Sequence, residues 1–350
     1  MQPEQLLSDT LQSGSLLSVR DLSVSFTTEG GVAQVLDSVS LSLRAGEIMG
    51  LVGESGCGKT TLARSILGAL PPNARMRGTA LHFAGQDLLT LDPRVVADRV
   101  RGRAITFVPQ DPFSAFNPLF TVGDQIMELL RWKSPDRPLR EVGYRRARRR
   151  ADRARALAML RAVHLPDPER LLAKYPHELS GGQRQRVMIA MALLPEPKLV
   201  IADEPTTALD VTIQAQILKL LRTLANEHGA SVLLTTHDLG TAWEICDRVT
   251  VMYAGQTLET APIEAFVHRP MVPYTRLLLE SLPSRNAALL GIPGDVPSLV
   301  SPPPGCRFHP RCPQASNACR AEHPALSEPD AGHFVRCHHP QLAPVEAVVG

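Results

Sequence analysis

A glycine-rich stretch in the first fifth of the chain has the residue types and spacing needed to hold a phosphate. "GESGCGKT", residues 53–60, fits the pattern G-x-x-x-x-G-K-[ST], in which backbone N–H groups and a helix N-terminus attract an anion. The lysine of this pattern reaches the β- and γ-phosphates, and the hydroxyl after it binds Mg²⁺. The predicted nucleotide-binding residues here are Gly53, Glu54, Ser55, Gly56, Cys57, Gly58, Lys59, Thr60 and Thr61, with Thr60 also a magnesium ligand. Cys57 occupies an unrestricted position, which favours a packing role over a redox-sensing one.

Two adjacent carboxylates follow an apolar run much later in the chain. In "KLVIADEP", residues 198–205, Asp203 and Glu204 stand at the end of a predicted buried strand. Asp203 is predicted to hold Mg²⁺ through water, and Glu204 to polarise the water that attacks a phosphate. Acidic residues are common at strand ends, so the pair indicates a role in phosphate chemistry only because a phosphate loop precedes it in the chain.

The stretch "LSGGQ", Leu179 to Gln183, predicts a second anion site. Ser180 and Gln183 have the spacing of a capping box at the start of a helix. A capping box does not explain Gly181 and Gly182, which cost helix stability but let another group approach the backbone closely. A helix N-terminus with bare amides and a serine hydroxyl attracts an anion.

These residues must be positioned by alternating strands and helices. Apolar alternation over 16–26 and 35–53 predicts strands, and 59–70 has helical spacing up to two prolines. The continuous apolar runs at 198–205 and 230–238 are typical of a parallel sheet that is covered on both faces, with a predicted helix between them. The pattern indicates an α/β nucleotide-binding fold.

Composition restricts the compartment and the partners. The 350 residues carry a net charge of only +2, so no global charge argues for nucleic acid or an anionic surface. The N-terminus lacks a secretory signal pattern, and no run is long and apolar enough to cross a membrane, which predicts a cytoplasmic or peripheral protein. An Arg-rich segment, 137–161, is predicted to form a helix with a solvated face, and nucleic-acid binding is the alternative.

In their order and spacing, "GESGCGKT", "LSGGQ", "VIADEPTTALD" and "TTHD" resemble the ATP-binding subunits of ABC transporters. The resemblance implies a P-loop NTPase with a RecA-like core and a helical subdomain, and two cassettes that dock head-to-tail so that each ATP lies between them. It also implies roles for single residues: Gln110 in "TFVPQDP" as the Q-loop residue that senses Mg²⁺, Asp210 in the D-loop, His237 at the γ-phosphate and Phe26 under the adenine. The implied domains are an extension at 1–15, the cassette at 16–260 with its helical subdomain at about 112–195, and a C-terminal extension of the oligopeptide-importer type at 261–350, which carries the four-cysteine cluster as a small Cys-rich module.

Three further stretches, 110–126, 269–283 and 292–319, are similar to the subfamily that serves dipeptide, oligopeptide and nickel importers. This similarity implies an ATP-hydrolysing subunit, peripheral on the cytoplasmic side of the inner membrane. Its partners would be a second ATPase subunit, two membrane permease subunits and, indirectly, a solute-binding protein, with no nucleic acid. The alternative is an ABC-type ATPase that acts on DNA and carries a structural zinc site.

Four cysteines near the C-terminus, Cys306, Cys312, Cys319 and Cys337, follow none of the common metal-site spacings. Four thiolates are nevertheless a sufficient ligand set for Zn²⁺ or a [4Fe–4S] cluster, and the subfamily resemblance implies the cluster. Two alternatives remain open. Zinc could be held by the four cysteines, or by fewer of them with a histidine from the set His309, His333, His338 and His339. The thiols could also be free.

Overall fold

The computed structural model describes residues 14–137, 143–206, 211–282 and 291–342. The chain divides into two compact units: the first unit comprises Met1–Leu91 with Thr235–Gly350, and the second unit is Asp92–Leu234. The domain boundaries suggested above by resemblance stay predictions. Among the described residues, no helix combines the length and the apolar character needed to cross a membrane.

The strands in chain order are β1 (Ser15–Thr28), β2 (Gly31–Arg44), β3 (Ile48–Val52), β4 (Ala74–Arg77), β5 (Ala80–Phe83), β6 (Gln86–Asp87), β7 (Ile105–Val108), β8 (Leu199–Asp203), β9 (Ser231–Thr236), β10 (Arg248–Tyr253), β11 (Gln256–Pro262), β12 (Leu326–Asp330) and β13 (His333–Arg336). The α-helices are α1 (Lys59–Ile66), α2 (Pro93–Val95), α3 (Pro112–Ala115), α4 (Val122–Lys133), α5 (Arg146–Ala162), α6 (Pro168–Leu171), α7 (Gly181–Leu193), α8 (Val211–Glu227), α9 (Leu239–Ile245), α10 (Ile263–His268), α11 (Pro273–Glu280) and α12 (Asn317–Ala321). A π-helical turn (Val96–Val100) and a 3₁₀ turn (Pro176–Glu178) complete the set for the described residues.

The first unit contains two groups of paired strands. In one, β1 is antiparallel to β2, β4 and β5, and buried pairs such as Val24 and Leu36 face each other across β1 and β2. In the other, β10 runs parallel to β3 and antiparallel to β11. All five residues of β3 are buried, as expected for a strand covered on both faces. This strand leads directly into the phosphate loop.

The C-terminal tail adds strands to the first unit, and its described residues, 291–342, do not form a separate small Cys-rich module. β13 pairs with β11, where Thr260 lies opposite Phe334, and β12 pairs with β13. Phe308, Phe334 and Val335 are buried, so part of the apolar surface of the tail is covered within this unit, whereas Val296, Val300 and Leu342 stay exposed. The sequence predicted a separate module because local sequence patterns cannot report a strand pairing across 74 residues, the separation of Thr260 and Phe334.

In the second unit, β7 and β8 are parallel, with Phe107 opposite Ile201. The Arg-rich helix α5 begins at Arg146, whereas the sequence predicted a helix from 137; Gly143, with φ of +80°, has a left-handed conformation that does not continue a helix. The buried face of α5 contains Asp152, Ala156, Met159 and Leu160, and its outer arginines Arg146, Arg149, Arg150 and Arg153 are exposed. This placement fits the interpretation of a solvated helix face.

Candidate functional site

The phosphate loop connects β3 to α1, and its glycines are required by the fold. Gly53 and Gly58 have φ values of +152° and +106°. A Cβ on Gly53 would lie 2.1 Å from the Met252 carbonyl oxygen, and one on Gly58 would lie 2.8 Å from Leu36 Cδ2. Any larger residue at these two positions would therefore displace the loop.

Lys59 is buried and its ammonium group lies against the loop. Its Nζ donates to the carbonyl oxygens of Gly53 at 2.8 Å and Glu54 at 3.3 Å. The first turn of α1 carries no acidic side chain, so the positive end of this helix is not offset by a carboxylate. Burial raises the pKa of the Cys57 thiol, although Lys59 lowers it, which favours the packing role for this residue.

Two residues that the sequence analysis missed contact this loop. Arg311 forms an ion pair with Glu54, and the Tyr274 hydroxyl accepts a hydrogen bond of 3.2 Å from the Glu54 backbone N–H. Both come from the C-terminal part of the chain: Arg311 is 257 residues and Tyr274 is 220 residues away from Glu54. No local pattern in the sequence signals contacts at that separation.

The first unit also holds the other two predicted nucleotide contacts. His237 is exposed immediately after β9, in a turn that Asp238 fixes by accepting a 2.9 Å hydrogen bond from the Gly240 N–H at the start of α9. Phe26 lies on β1 between its partners Ala33 and Ala74 and is half-buried rather than part of the core. An aromatic ring that the fold leaves partly exposed is available for stacking.

The second unit brings Gln110 and Glu204 together. The Gln110 amide Nε2 donates to Glu204 Oε2 at 3.0 Å, although the two residues are 94 positions apart. Asp203, one residue before Glu204, is buried at the end of β8. Glu204 itself has a φ of +45°, in the left-handed region that a non-glycine residue rarely adopts.

The capping box predicted at "LSGGQ" is confirmed. Ser180 Oγ accepts from the Gln183 N–H at 3.3 Å, and Gln183 Oε1 accepts from the Ser180 N–H at 3.0 Å at the start of α7. A Cβ on Gly182 would meet only Ile213 Cγ2, at an ordinary 3.6 Å. Packing among the described residues therefore does not require glycine at position 182.

The predicted residues are divided between the units. The phosphate loop, Phe26 and His237 belong to the first unit, and Gln110, Ser180–Gln183, Asp203 and Glu204 to the second. Asp210 lies outside the described residues.

The four C-terminal cysteines line one small cavity of about 20 Å³ in the first unit, together with His309, His338 and His339. Burial raises the pKa of Cys306 and of Cys312, and raises that of Cys337 to about 11. The remaining histidine of the predicted set, His333, is buried elsewhere, 2.6 Å from Glu259 through its Nε2. Cys57 and Cys246 are not part of the cavity lining.

The metal prediction is not supported by this arrangement. Within the four described ranges, no group of three or more His, Cys, Asp or Glu side chains is placed to hold a metal ion. His309 and His338 also contact backbone carbonyl oxygens, those of Cys306 and Glu322, each at 3.0 Å.

Two family models match the chain. Residues 36–207 match "ABC transporter", and residues 258–319 match "Oligopeptide/dipeptide transporter, C-terminal region". A probable peptide ABC transporter ATP-binding protein of Sinorhizobium fredii is 47% identical over 92% of this chain and 94% of its own length. Dipeptide transport ATP-binding proteins of Bacillus subtilis and Escherichia coli are 44% and 43% identical over 92% and 93% of this chain, and 94% and 97% of their own lengths. None of these relatives is described as acting on DNA.

Among solved structures, a dimeric ATP-binding cassette in a post-hydrolysis state with ADP and phosphate covers 71% of this chain and 98% of its own length. It has a TM-score of 0.59 and 28% identity. These matches confirm the predicted P-loop NTPase fold of the ABC type. The chain belongs to the ATP-hydrolysing, ATP-binding subunits of ABC transporters, in the group that carries the oligopeptide/dipeptide transporter C-terminal region.

Proposed function

We propose that this chain is the ATPase subunit of an importer of dipeptides, oligopeptides or a chemically similar solute. It works on the cytoplasmic face of the inner membrane with a second ATPase subunit, two permease subunits and, indirectly, a solute-binding protein. The observation that carries the proposal is the likeness to peptide transport ATPases over both the cassette and the tail at 258–319.

The chemistry of the site is phosphoryl transfer to water, divided among the proposed residues. Gly53–Thr61 binds the phosphates with backbone N–H groups and Lys59, and Phe26 stacks on the adenine. A bound Mg²⁺ would offset the negative charge that develops on the phosphates. The proposed ligands are of the oxygen type that a hard cation takes: Thr60 of the first unit offers a hydroxyl, and in the second unit Gln110 offers an amide oxygen and Asp203 a buried carboxylate that would act through water.

Glu204 is the proposed general base or water-orienting group, and His237 contacts the γ-phosphate. The Gln110 amide fixes the Glu204 carboxylate by its 3.0 Å hydrogen bond, so the residue that senses the cation also orients the base. Asp210 completes the set in the D-loop.

Ser180–Gln183 is the proposed half-site for the nucleotide of the second ATPase subunit. The capping box leaves the start of α7 ordered and positive, and Gly182 is not needed for packing among the described residues. A glycine that costs helix stability without a packing reason is explained by close approach of a ligand.

The permease contact is proposed for the exposed apolar side chains that follow Gln110 in the chain. Phe113, Leu119, Phe120 and Trp132 are exposed by 60%, 79%, 53% and 47%, an unusual concentration for one segment of 20 residues. Their position next to the Q-loop would join the permease contact to the cation-sensing residue.

The import proposal is tested by reconstituting this chain in lipid vesicles with its second ATPase subunit, the two permease subunits and the solute-binding protein. We expect ATP-dependent accumulation of labelled di- and tripeptides, and none with Lys59→Ala, because Lys59 is proposed to bind the phosphates. ATP-dependent uptake of Ni²⁺ without any uptake of peptides would contradict the peptide assignment while leaving the ATPase assignment intact.

We also propose that the four C-terminal cysteines hold a metal centre, a [4Fe–4S] cluster in preference to Zn²⁺. The support is that all four thiols line the same cavity, and four thiolates are the ligand set of such a cluster. Cys306, Cys312 and Cys319 lie in turns and the short helix α12, and Cys337 directly follows β13.

Metal analysis tests this centre directly. Protein purified without oxygen is expected to contain about four iron and four acid-labile sulfide per chain, and a Cys306→Ser, Cys312→Ser double variant to contain neither. Cys246→Ser, which replaces a buried thiol outside the cavity, is the matched control and should keep the metal. Zinc without sulfide would replace the cluster by a structural zinc site, and absence of both metals would refute the proposal.

A further inference from the structure

Arg311 connects the cysteine-bearing tail to the phosphate loop. Its side chain is buried, with 4% of its surface exposed, and lies next to Cys312 in sequence. Nη1 donates to Glu54 Oε2 at 2.7 Å and Nη2 donates to Glu54 Oε1 at 3.1 Å. This is the bidentate geometry in which an arginine and a carboxylate bind each other most strongly.

The rest of the guanidinium group is held as firmly. Nε donates to the Pro293 carbonyl oxygen at 2.9 Å, Nη2 to that of Ile292 at 2.9 Å, and Nη1 to the Tyr253 hydroxyl at 3.3 Å. All five N–H donors of the arginine therefore have an acceptor. Because every N–H donor of Arg311 is bound, the guanidinium group has a fixed position, and the Glu54 carboxylate that it binds has little freedom to move.

An aromatic cluster supports the same contact. The rings of Tyr253, Tyr274 and Phe308 have centroids 4.7 to 5.1 Å apart, and Phe308 belongs to the same turn of the tail as Arg311. The Tyr274 hydroxyl accepts the Glu54 backbone N–H. Arg311 thus holds the side chain of Glu54, and Tyr274 holds its backbone N–H. Both partners come from the C-terminal part of the chain.

The consequence for the phosphate loop is both geometric and electrostatic. The Glu54 carbonyl oxygen is one of the two that receive the Lys59 ammonium group, so a shift of Glu54 moves the loop's main phosphate-binding cation. In addition, a half-buried carboxylate in a loop that binds phosphates would repel them, and the Arg311 charge compensates for it.

We propose that Arg311 is a positioning residue for nucleotide binding, which acts through Glu54 and makes nucleotide affinity depend on the turn that carries Cys306 and Cys312. This inference rests on the proposed nucleotide site at Gly53–Thr61. It gives the tail a role at the ATP site that does not require electron transfer and does not depend on which metal the cysteines hold.

Arg307 provides a matched control in the same turn. Its side chain is equally buried, with 4% exposed, and it also pairs with a carboxylate, Asp37, at 2.9 Å. Its other acceptors are the backbone carbonyl oxygens of Gln34 and Ala254, none of them in the phosphate loop. Loss of Arg307 should therefore destabilise the turn without a direct effect on Glu54.

The experiment titrates Mg·ADP into the full-length chain by calorimetry, because the proposed phosphate loop with Lys59 lies within one unit of one chain. Arg311→Met is expected to raise Kd about tenfold, a loss within the range for hydrogen bonds to a charged group. Arg307→Met should lower the melting temperature about as much as Arg311→Met does, yet it should change Kd by less than about twofold. In a Glu54→Gln background, Arg311→Met should change Kd by less than about twofold, because its partner charge is already gone.

Three results would overturn the inference: an unchanged Kd in Arg311→Met, an equal rise in Arg307→Met, or an undiminished effect of Arg311→Met in the Glu54→Gln background. The first means that the tail does not act on the site, the second that general destabilisation is responsible, and the third that Glu54 is not the intermediary. A wild-type chain that fails to bind Mg·ADP would instead refute the proposed nucleotide site itself.

Discussion

Glu204→Gln is expected to lower the rate of ATP hydrolysis by about 10²–10⁴-fold, the contribution of a positioned general base. The amide keeps the size of the side chain and can still accept the hydrogen bond from Gln110, but it cannot take a proton from water. Nucleotide binding should persist, because the phosphate-binding residues are unchanged. The variant should therefore accumulate as an ATP-bound closed dimer, detectable by size-exclusion chromatography in the presence of ATP.

The control for Glu204→Gln is Glu169→Gln, which removes the same charge from an exposed ion pair with Arg161 elsewhere in the second unit. This control should hydrolyse ATP at the wild-type rate. Normal turnover in Glu204→Gln would remove the assignment of Glu204, and loss of Mg·ADP binding in that variant would show that the substitution damages the fold instead.

Ser180→Arg is expected to reduce hydrolysis by about 10²-fold or more, a loss comparable to removing a transition-state donor. The arginine removes the serine hydroxyl and fills the space at the start of α7 that the second subunit's nucleotide is proposed to occupy. The isolated chain should still bind Mg·ADP with a Kd within about twofold of wild type, since its own phosphate loop is intact. ATP-dependent dimerisation should be lost.

Thr121→Arg is the matched control for Ser180→Arg. Thr121 closes a capping box with Asp124 at the start of α4 in the same unit, so this substitution also loses a cap, at a cost of about 1 kcal/mol, and also adds a charge at a helix N-terminus. Its ATPase rate, measured without membrane subunits, should stay close to wild type. If both variants lose activity equally, loss of the cap is the cause and the composite site is contradicted.

Local patterns in the sequence predicted the parts of the site that depend on a few neighbouring residues. The phosphate loop is defined by steric demands at Gly53 and Gly58, and the capping box of Ser180 and Gln183 is closed within four residues. Such features can be predicted from the sequence because one short stretch contains all the residues that interact to form them. The roles of Glu204, Gln110 and His237 stay proposals that rest on placement and family likeness.

Features formed by residues far apart in the chain could not be predicted from the sequence. The Arg311 and Glu54 contact joins positions 257 apart, and the pairing of β13 with β11 joins the tail to the sheet. Neither leaves a local pattern, because each partner alone fits an ordinary turn or a short strand. The spacing of the cysteines likewise did not predict that they would line a common cavity.

The two strands that the tail contributes also protect the protein from aggregation through an exposed sheet edge. Without β13, the backbone N–H and C=O groups of β11 would form an open sheet edge that could template pairing with another chain. The strand that now lies outermost, β12, is short and reads "LSEPD", with Glu328, Pro329 and Asp330 together. Charged residues and proline are poor partners for edge-to-edge pairing, so the tail replaces an aggregation-prone edge by one that resists it.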